Sequence, residues 1–437
     1  MATAVRRAVS RHRWLRILPV IVLIYVISYV DRTNISFAIP HIGKQFALSD
    51  SRQGFLEGVF FFGYLILQVP AGFIAMRWSA RRWISVLIVL WGVCAVFASL
   101  SRNFPELVAS RFLLGLAEGG VQPALMTTIR AWFPFDERSR AYSIFKLYAP
   151  ISSLITAPTA GLILEYGTWR DLFLIQGGIP VIVGLVLWLW LVRDTPAKAH
   201  FLPEAERTYI EDAIAEEDAR RKPVDKPRGA VRAAVTNPIV WLFTLAYLLT
   251  LLGMYGIQMW LPTLLGESFG SDADVGFAAM APPIAGGIAV FLVGRSADRH
   301  GRHVAHVCWT LGIGAVVLIG ASQLHASQRW LVLGAMVIAT ASSLAYYGPM
   351  WAMVSRLVPA AAIGTGIGVI NGVGNLGGFF GPYIGGVLSD LTGSMALSQV
   401  FFAVALAGAG VVIFGLRKKM AAAIAAEATT EPKAEVR

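Results

Sequence analysis

Six ionisable side chains interrupt stretches of sequence that are otherwise apolar and long enough to cross a lipid bilayer. They are Asp31, Arg32, Glu57, Arg111, Glu118 and Lys146. An ionised side chain at the centre of a bilayer costs about 3 kcal/mol on insertion scales, so several of them together predict ion pairs, a water-filled cavity or both. All six lie in the first half of the chain. We therefore expect the first half to carry the charge chemistry and the second half to supply shape and neutral hydrogen bonds.

The spacing of these charges suggests how they are arranged. Arg111 and Glu118 are seven residues apart, so on a helix they project from one face with Gly115 between them. A buried carboxylate whose proton affinity depends on conformation would suit proton coupling. The alternative is a structural ion pair that fixes the orientation of the helix. Asp31 and Arg32 are adjacent, about 100° apart around a helix, and cannot both face the same point; here too a structural pair is the alternative.

Two further residues, Tyr64 and Gln68, are candidates by position. Tyr64 and Gln68 continue a helical stripe that starts at Glu57, and Tyr64 offers an aromatic wall with a hydroxyl group. Glu57 is expected to be a solvated rim residue, because it lies near the end of its apolar run. Lys146 could extend to the cytoplasm or point its ammonium group into a cavity, and the sequence leaves both open.

Composition indicates the elements that hold these residues. Of 437 residues, 56% are hydrophobic and 14% are charged, which nearly excludes a soluble enzyme. Twelve apolar runs of bilayer-spanning length predict an all-α polytopic membrane protein with 12 transmembrane helices. They lie near 16–39, 53–76, 83–101, 104–132, 139–164, 170–192, 238–261, 274–295, 304–323, 329–355, 362–388 and 395–416.

Basic residues predict the orientation. With a cytoplasmic amino terminus, 29 Lys and Arg residues lie in cytoplasmic segments and 5 in the opposite loops. This bias predicts that both termini are cytoplasmic. The net charge of +11 is thereby explained without a nucleic-acid partner.

The runs fall into two sets of six. We predict a cytoplasmic amino-terminal tail at 1–15, bundles at 16–192 and 237–416, a connector at 193–236 with a charged helix from Glu204 to Arg221, and a cytoplasmic tail at 417–437. The loop 294–303 aligns with 72–81 at an offset of 222 residues, and Pro158 and Gly161 match Pro382 and Gly385 at an offset of 224. These matches predict two pseudo-symmetric six-helix bundles, with a site near the bilayer midplane between them.

Four segments resemble a known family. The segment Gly294-Arg-Ser-Ala-Asp298-Arg299-His-Gly301-Arg302 resembles the loop signature of the major facilitator superfamily. Within it, the segments 29–36 (Tyr-Val-Asp-Arg-Thr-Asn-Ile-Ser) and 111–123 resemble the anion:cation symporter family, and 194–202 is similar to its tartrate, phthalate and sugar-acid carriers.

The resemblance implies roles for individual residues. The implied protonatable carboxylates are Asp31 and Glu118, with Arg111 beside them. The implied substrate-binding residues are Arg32 and Tyr64, with Trp351 and Asn371 lining the cavity; we add Gln68, Asn34 and Lys146 by position. The implied conformational latch consists of Gly294, Asp298, Arg299, Gly301 and Arg302 with Arg77 and Arg81 of the first copy. That copy has Met76 and Ser79 where the superfamily usually has Asp and Gly, so Asp298 is expected to carry most of the latch.

The prediction is therefore a monomeric inner-membrane, proton-coupled symporter of a small organic anion. The carboxylate could belong to a sugar acid, a dicarboxylate or an aromatic acid. Its partners would be that anion, protons and membrane lipid. We expect no cofactor, no metal and no enzymatic activity, since no catalytic motif occurs in the sequence. An antiporter or facilitator on the same fold remains an alternative, followed by a transporter-like sensor and, more distantly, an intramembrane enzyme.

Overall fold

A computed structural model describes residues 12–199, 201–220, 232–359 and 362–430. These residues form helices almost throughout. In chain order the α-helices are α1 (His12–Phe46), α2 (Asp50–Arg77), α3 (Ala80–Leu100), α4 (Phe104–Gly119), α5 (Val121–Trp132), α6 (Phe135–Phe145), α7 (Tyr148–Tyr166), α8 (Trp169–Phe173), α9 (Ile179–Leu191), α10 (Glu204–Arg220), α11 (Pro238–Gly266), α12 (Asp272–Ala278), α13 (Ala281–His300), α14 (His303–Ala321), α15 (Arg329–Ala345), α16 (Tyr347–Leu357), α17 (Ile363–Gly374), α18 (Gly377–Thr392), α19 (Ala396–Gly415) and α20 (Arg417–Thr430). A π-helical turn, Leu174–Gly178, joins α8 to α9, and short 3₁₀ turns lie at Pro196–Lys198 and Ala326–Gln328.

Ten of the twelve predicted runs form helical segments long and apolar enough to cross a bilayer within the described residues. One of these, α2, bends by 43° between Gln68 and Pro70. Proline explains the bend, because it donates no backbone hydrogen bond and its ring crowds the preceding turn. The other two runs are each divided into two short helices, at Gly120 and at Asn375. The prediction of an all-α polytopic membrane protein is confirmed.

The described residues fall into two compact units. The first contains 12–48, 59–220 without residue 200, and 271–277, and the second contains 49–58, 232–270 and 278–430 without residues 360 and 361. The start of α2 therefore belongs to the second unit, and α12 belongs to the first.

Local sequence fixes where α4 begins, which matters because α4 carries Arg111 and Glu118. The Asn103 side chain accepts a hydrogen bond from the backbone N–H of Glu106 at 3.0 Å, and proline follows within the first helical turn. Both features are typical of helix starts, because a side-chain oxygen satisfies an N–H group that has no partner within the helix. The capped start therefore fixes where α4 begins and, with it, the position of Arg111 and Glu118 along the helix.

Two glycines let α4 approach the backbone of α2 closely within the first unit. A methyl group added at Gly115 would lie 2.8 Å from the carbonyl carbon of Phe60, and one at Gly119 would lie 2.9 Å from Cα of Tyr64. Small residues four apart allow such close helix packing in membranes. This approach brings Gly119, the residue after Glu118, against the backbone of Tyr64 in α2.

The Gly115→Ala substitution should therefore destabilise the protein. An added methyl group has no space against a neighbouring backbone, and overpacking of this kind costs about 1–3 kcal/mol. Thermal denaturation in detergent would measure the loss. The control is Gly72→Ala, since a methyl group there would lie 3.7 Å from Cβ of Pro123, an ordinary contact. Equal melting temperatures for the two variants would contradict the prediction.

Each unit contains a helix whose amino terminus is capped by a carboxylate from another helix. In the second unit, Asp390 accepts hydrogen bonds from the backbone N–H groups of Asp50 at 2.8 Å and Ser51 at 3.0 Å. In the first unit, Glu165 accepts one from Ala273 at 3.3 Å. A carboxylate at a helix amino terminus is stabilising because it faces the positive end of the helix dipole. Ser51 and Ala273 are related by the 222-residue offset of the predicted repeat.

The charged helix α10 packs onto the first unit through buried ion pairs. Arg13 is fully buried, and its guanidinium group donates to Glu206 at 3.0 Å and also contacts the Glu137 carboxylate. Near the other end of α10, Glu217 accepts two hydrogen bonds from Arg138 at 2.8 and 2.9 Å. The predicted connector helix is thus confirmed as a helix, and it is held to the first unit at both of its ends.

Candidate functional site

The centre of the site is a buried ion pair between α1 and α4. The Arg32 guanidinium donates to Oε2 of Glu118 from two nitrogens, at 3.1 and 3.3 Å, and the Ser28 hydroxyl donates to the same oxygen at 2.9 Å. Arg32 is 5% exposed and Glu118 is 0% exposed, so water screens the pair little. The site therefore holds a cation and a carboxylate that satisfy one another away from solvent.

Arg111 takes a different position from the one its spacing suggested. Although it shares a helix face with Glu118, its guanidinium donates to the backbone carbonyls of Asp31 at 3.5 Å and Arg32 at 3.2 Å. These carbonyls lie within α1, which is continuous from His12 to Phe46. Arg111 thus holds the α1 segment that carries both neighbouring charges, and the ion-pair partner of Glu118 is Arg32.

Aromatic rings surround the Arg32 guanidinium. Its Cζ atom lies 4.7 Å from the ring centroid of Tyr64 and 5.1 Å from that of Phe60, with Tyr29 at 5.5 Å and Tyr25 at 5.9 Å. Aromatic faces attract a cation, most strongly when water is absent. The structure therefore brings Tyr64 to Arg32, the pairing that the resemblance implied for binding an anion.

Gln122 is a site residue that the sequence analysis missed. Its side-chain oxygen accepts hydrogen bonds from the hydroxyl groups of Tyr25 at 3.0 Å and Tyr64 at 3.3 Å. Tyr25 was also missed, because tyrosine and glutamine in apolar helices are usually packing residues. The signal that could have found Gln122 is its place four residues after Glu118, one helical turn further along the same side.

Substituting Gln122 with alanine should weaken, without abolishing, the anion binding that the sequence predicts. Both tyrosine hydroxyls would lose an acceptor, and a neutral hydrogen bond contributes about 1 kcal/mol. We expect a loss of affinity of about five- to tenfold, measured by the thermal shift that the bound anion produces. Tyr64→Phe should have a similar effect, and the double variant should lose little more than either single one. Fully additive losses would show that the two residues act separately.

Asp31 lies on another side of α1 from the Arg32 pair. It is 1% exposed, and its Oδ1 atom accepts a hydrogen bond from Nδ2 of Asn34 at 3.1 Å. Asn34, predicted to bind substrate, instead contacts the carboxylate that was predicted to carry the proton. The prediction that Asp31 and Arg32 face different points agrees with these contacts.

The remaining first-half candidates lie in varied surroundings. Lys146 is exposed, with Nζ 5.7 Å from the ring centroid of Tyr148, and lines a cavity of about 580 Å³ with Arg138 and Tyr142. Gln68 is partly buried at the bend of α2.

Glu57 was predicted to be a solvated rim residue, and this was wrong. Its exposed fraction is 0%. The reason lies in its neighbours in the second unit: a methyl group at Gly58 would lie 3.0 Å from Cα of Phe379, and the Phe55 and Phe379 rings are 5.8 Å apart. Helix α18 therefore covers this part of α2.

In the second unit, Asn371 and Trp351 meet at one tyrosine. The hydroxyl group of Tyr247 donates to Oδ1 of Asn371 at 3.2 Å, and its ring lies 5.6 Å from that of Trp351. The cluster contains hydrogen-bonding groups and no charge among these three side chains. That these residues line a transport cavity remains a prediction, and Tyr247 joins them as a residue missed from the sequence.

The predicted latch residues occupy two helix ends. Gly301 ends α13 with a φ of 63°, a left-handed conformation that favours glycine. Asp298 contacts Nε2 of His303 at 3.3 Å, and Gly294 is partly buried earlier on the same helix. Arg299 and Arg302 are exposed beside Gly301.

The first copy of the loop has its own carboxylate. Asp194 accepts hydrogen bonds from the Ser79 hydroxyl at 2.7 Å and from the backbone N–H of Arg81 at 3.0 Å, and Arg81 also donates to the carbonyl of Leu189. Arg77 is exposed. Asp194 thus caps the amino terminus of α3. It contacts Ser79, the position at which the superfamily pattern has glycine. The latch role of these residues remains a prediction.

Comparison with known proteins gives the family. The model of the Major Facilitator Superfamily matches residues 21–382 and 244–435. A quinolone resistance transporter of Acinetobacter baumannii is 30% identical over 410 residues, covering 92% of each chain. A putative tartrate transporter of Agrobacterium vitis is 32% identical over 416 residues, covering 94% of this chain and 95% of that one. A D-galactonate transporter of Escherichia coli is 27% identical over 421 residues, covering 92% and 94%.

Solved structures agree on the fold. A D-xylose-proton symporter superimposes with a TM-score of 0.73 at 17% identity, over 91% of this chain and 96% of the other. A bacterial homologue of the human lysosomal transporter Spinster gives a TM-score of 0.72 at 19% identity, over 95% and 97%. With the family model matched along nearly the whole chain, this multi-pass membrane protein belongs to the Major Facilitator Superfamily, as its sequence motifs predicted.

Proposed function

We propose that the protein is a proton-coupled symporter that imports a small organic anion by alternating access. It would act in the inner membrane of a bacterium with both termini in the cytoplasm, as a monomer and without a cofactor. The observation that carries the proposal is the buried ion pair between Arg32 and Glu118. It supplies both a cation for an anionic substrate and a carboxylate for a proton.

The pair couples proton and anion through competition for one guanidinium group. While Glu118 is ionised, it occupies Arg32. Protonation of Glu118 removes its negative charge, which frees Arg32 for the carboxylate of the substrate. Each ligand then favours binding of the other, and this reciprocity is the thermodynamic requirement for symport.

Asp31 would provide a second proton position, next to Arg32 on α1. Its carboxylate is buried and lies near the charges of Glu118 and Arg111, so its protonation responds to theirs. Arg111, through its bonds to the Asp31 and Arg32 carbonyls, would transmit movement of α4 to both residues. The exposed residue Arg77 and the loop around Asp298 would act in switching rather than in binding.

The relatives guide the choice of substrate. Two of those compared are described as transporters of tartrate or D-galactonate, which are hydroxylated carboxylates. Tyr25, Tyr64 and Gln122 would hydrogen-bond such hydroxyl groups, and Arg32 would pair with the carboxylate. Lys146 offers a second cation that would suit a dicarboxylate such as tartrate.

A second candidate is an antiporter that exports an organic anion or drug. It is supported by the similarity to a quinolone resistance transporter. In that case proton and substrate would exclude one another rather than favour one another. A protein that binds the anion without moving it is the remaining alternative.

Uptake into liposomes containing the purified protein tests these functions. A thermal-shift screen of mono-, di- and aromatic carboxylates, including tartrate and D-galactonate, first identifies an anion that stabilises the protein. We expect that anion to accumulate when the exterior is acidified and the accumulation to collapse with a protonophore. Exchange that ignores the pH gradient would refute proton coupling, and uptake driven by an alkaline exterior would indicate antiport.

A further inference from the structure

The π-helical turn Leu174–Gly178 lies beside the Asp31 carboxylate. It is defined by a hydrogen bond from the backbone N–H of Ile179 to the carbonyl of Leu174, one residue wider than an α-helical turn. Such turns are rare and occur frequently at functional sites, because the extra residue changes which side chains face a neighbouring helix. The proposed transport mechanism gives this turn no role so far.

Within the turn, Gly177 faces Asp31 at very close range. A methyl group at position 177 would lie 3.0 Å from Cγ of Asp31, and its nearest atom would be Oδ1 of the same carboxylate. It would also lie 2.8 Å from Cβ of Ala95 in α3. The Asp31 carboxylate therefore occupies space that any other residue at position 177 would fill with its own side chain.

The next residue of the same turn behaves differently. A methyl group at Gly178 would lie 3.4 Å from Cγ2 of Val96 and 3.8 Å from Cδ2 of Leu174, which are ordinary contacts. Of these two adjacent glycines in one π-turn, only Gly177 borders the Asp31 carboxylate.

Gln176 fixes the rotational position of the turn. Its side chain is 4% exposed and donates to the carbonyl of Thr156 at 3.1 Å and to the hydroxyl of Thr159 at 2.7 Å, both on α7. Because Gln176 is tied to α7, Gly177 is held toward Asp31 on α1. The close approach at position 177 is therefore built into the fold and does not depend on a freely rotating segment.

We propose that Gly177 is a positioning residue for Asp31, and this inference rests on the proposed proton role of that carboxylate. The missing side chain at 177 lets the carboxylate settle against the π-turn, where Asn34 donates to it. Any larger residue displaces the carboxylate from Asn34. Among the described residues, the charged or titratable groups that lie near Asp31 on other helices include Arg111 and Glu118 on α4 and Cys94 on α3.

The test compares Gly177→Ala with Gly178→Ala, its matched control. The readout is labelling of Asp31 by dicyclohexylcarbodiimide, which reacts with protonated buried carboxyl groups, followed across pH by mass spectrometry. In Gly177→Ala the ionised carboxylate loses a hydrogen bond, so the pH of half-maximal labelling should rise by about 0.5 unit or more. In Gly178→Ala it should equal that of the wild type. An unchanged or lowered midpoint in Gly177→Ala would overturn the proposal.

A double variant separates the carboxylate contact from helix packing. Gly177→Ala combined with Ala95→Gly removes the conflict with α3 and keeps the conflict with Asp31, and it also serves if the single variant does not fold. The raised midpoint should persist in the double variant, and its return to the wild-type value would refute the positioning role. Failure of the wild type to accumulate its anion under a pH gradient would instead refute the proposed function, since labelling needs no transport.

Discussion

Replacing Arg32 with alanine is expected to abolish anion binding. The guanidinium group lies among aromatic rings that include Tyr64, and it donates two hydrogen bonds to the Glu118 carboxylate, the same chemical group that the proposed substrate offers. Loss of one partner of a buried charge pair costs about 2–5 kcal/mol, or about 30-fold to several thousand-fold in affinity. Thermal-shift titration with the anion selected in the carboxylate screen measures this loss.

The matched variant Arg32→Lys retains the charge. Lysine cannot reproduce a two-nitrogen contact, so its affinity should fall between those of the wild type and the alanine variant. Melting temperatures without ligand separate loss of binding from loss of folding, because Glu118 is left without its guanidinium partner in the alanine variant. Full affinity in a folded Arg32→Ala protein would assign anion recognition to other residues.

Replacing Glu118 with glutamine is expected to separate binding from proton-driven accumulation. Glutamine has the shape of a protonated glutamate, so Arg32 is released at every pH and the anion should bind at least as well as in the wild type at neutral pH. Exchange of internal for external anion should persist. The accumulation ratio under a pH gradient should fall to about 1, because position 118 can no longer carry a proton and protonation of Asp31 alone does not control access to Arg32.

Glu57→Gln provides a control of equal burial. Glu57 and Glu118 are both 0% exposed, but Glu57 belongs to the second unit and has no part in the proposed coupling. The control should accumulate the anion under a pH gradient. If Glu118→Gln also accumulates it, the proton must travel by another route, and if both variants fail, the effect is not specific to the Arg32 pair.

Much of the fold follows from the sequence because the bilayer imposes a simple rule. A crossing helix needs an apolar run of a certain length, so the runs at 238–261 and 395–416 correspond closely to Pro238–Gly266 and Ala396–Gly415. Breaks inside the runs are harder to foresee. The division at Gly120 and the π-turn at 174–178 depend on tertiary hydrogen bonds such as those of Gln176 with α7, which apolarity alone does not encode.

The sequence analysis named Arg32, Glu118 and Tyr64 as residues of the candidate site, but it did not predict which residue pairs with Glu118. Helical spacing correctly put Arg111 and Glu118 on one helix, but the partner of Glu118 is set by how α1 packs against α4. The glycines at 115 and 119 likewise appear in the sequence only as small residues, and the structure shows that they allow close contact between α4 and the backbone of α2. Glu57 was misjudged for the same reason, since a residue near the end of an apolar run is exposed only if no other helix covers it.

The docking of α10 determines where the chain can be divided experimentally. Buried Arg13, at the start of α1, is satisfied by Glu206, so a first-half fragment ending near residue 192 would leave a guanidinium group inside protein without that acceptor. Co-expressed half-molecules should therefore keep residues up to 220 on the first polypeptide. A cut placed ahead of α10 would expose the fragment to misfolding and proteolysis, although it would sever no membrane-crossing helix.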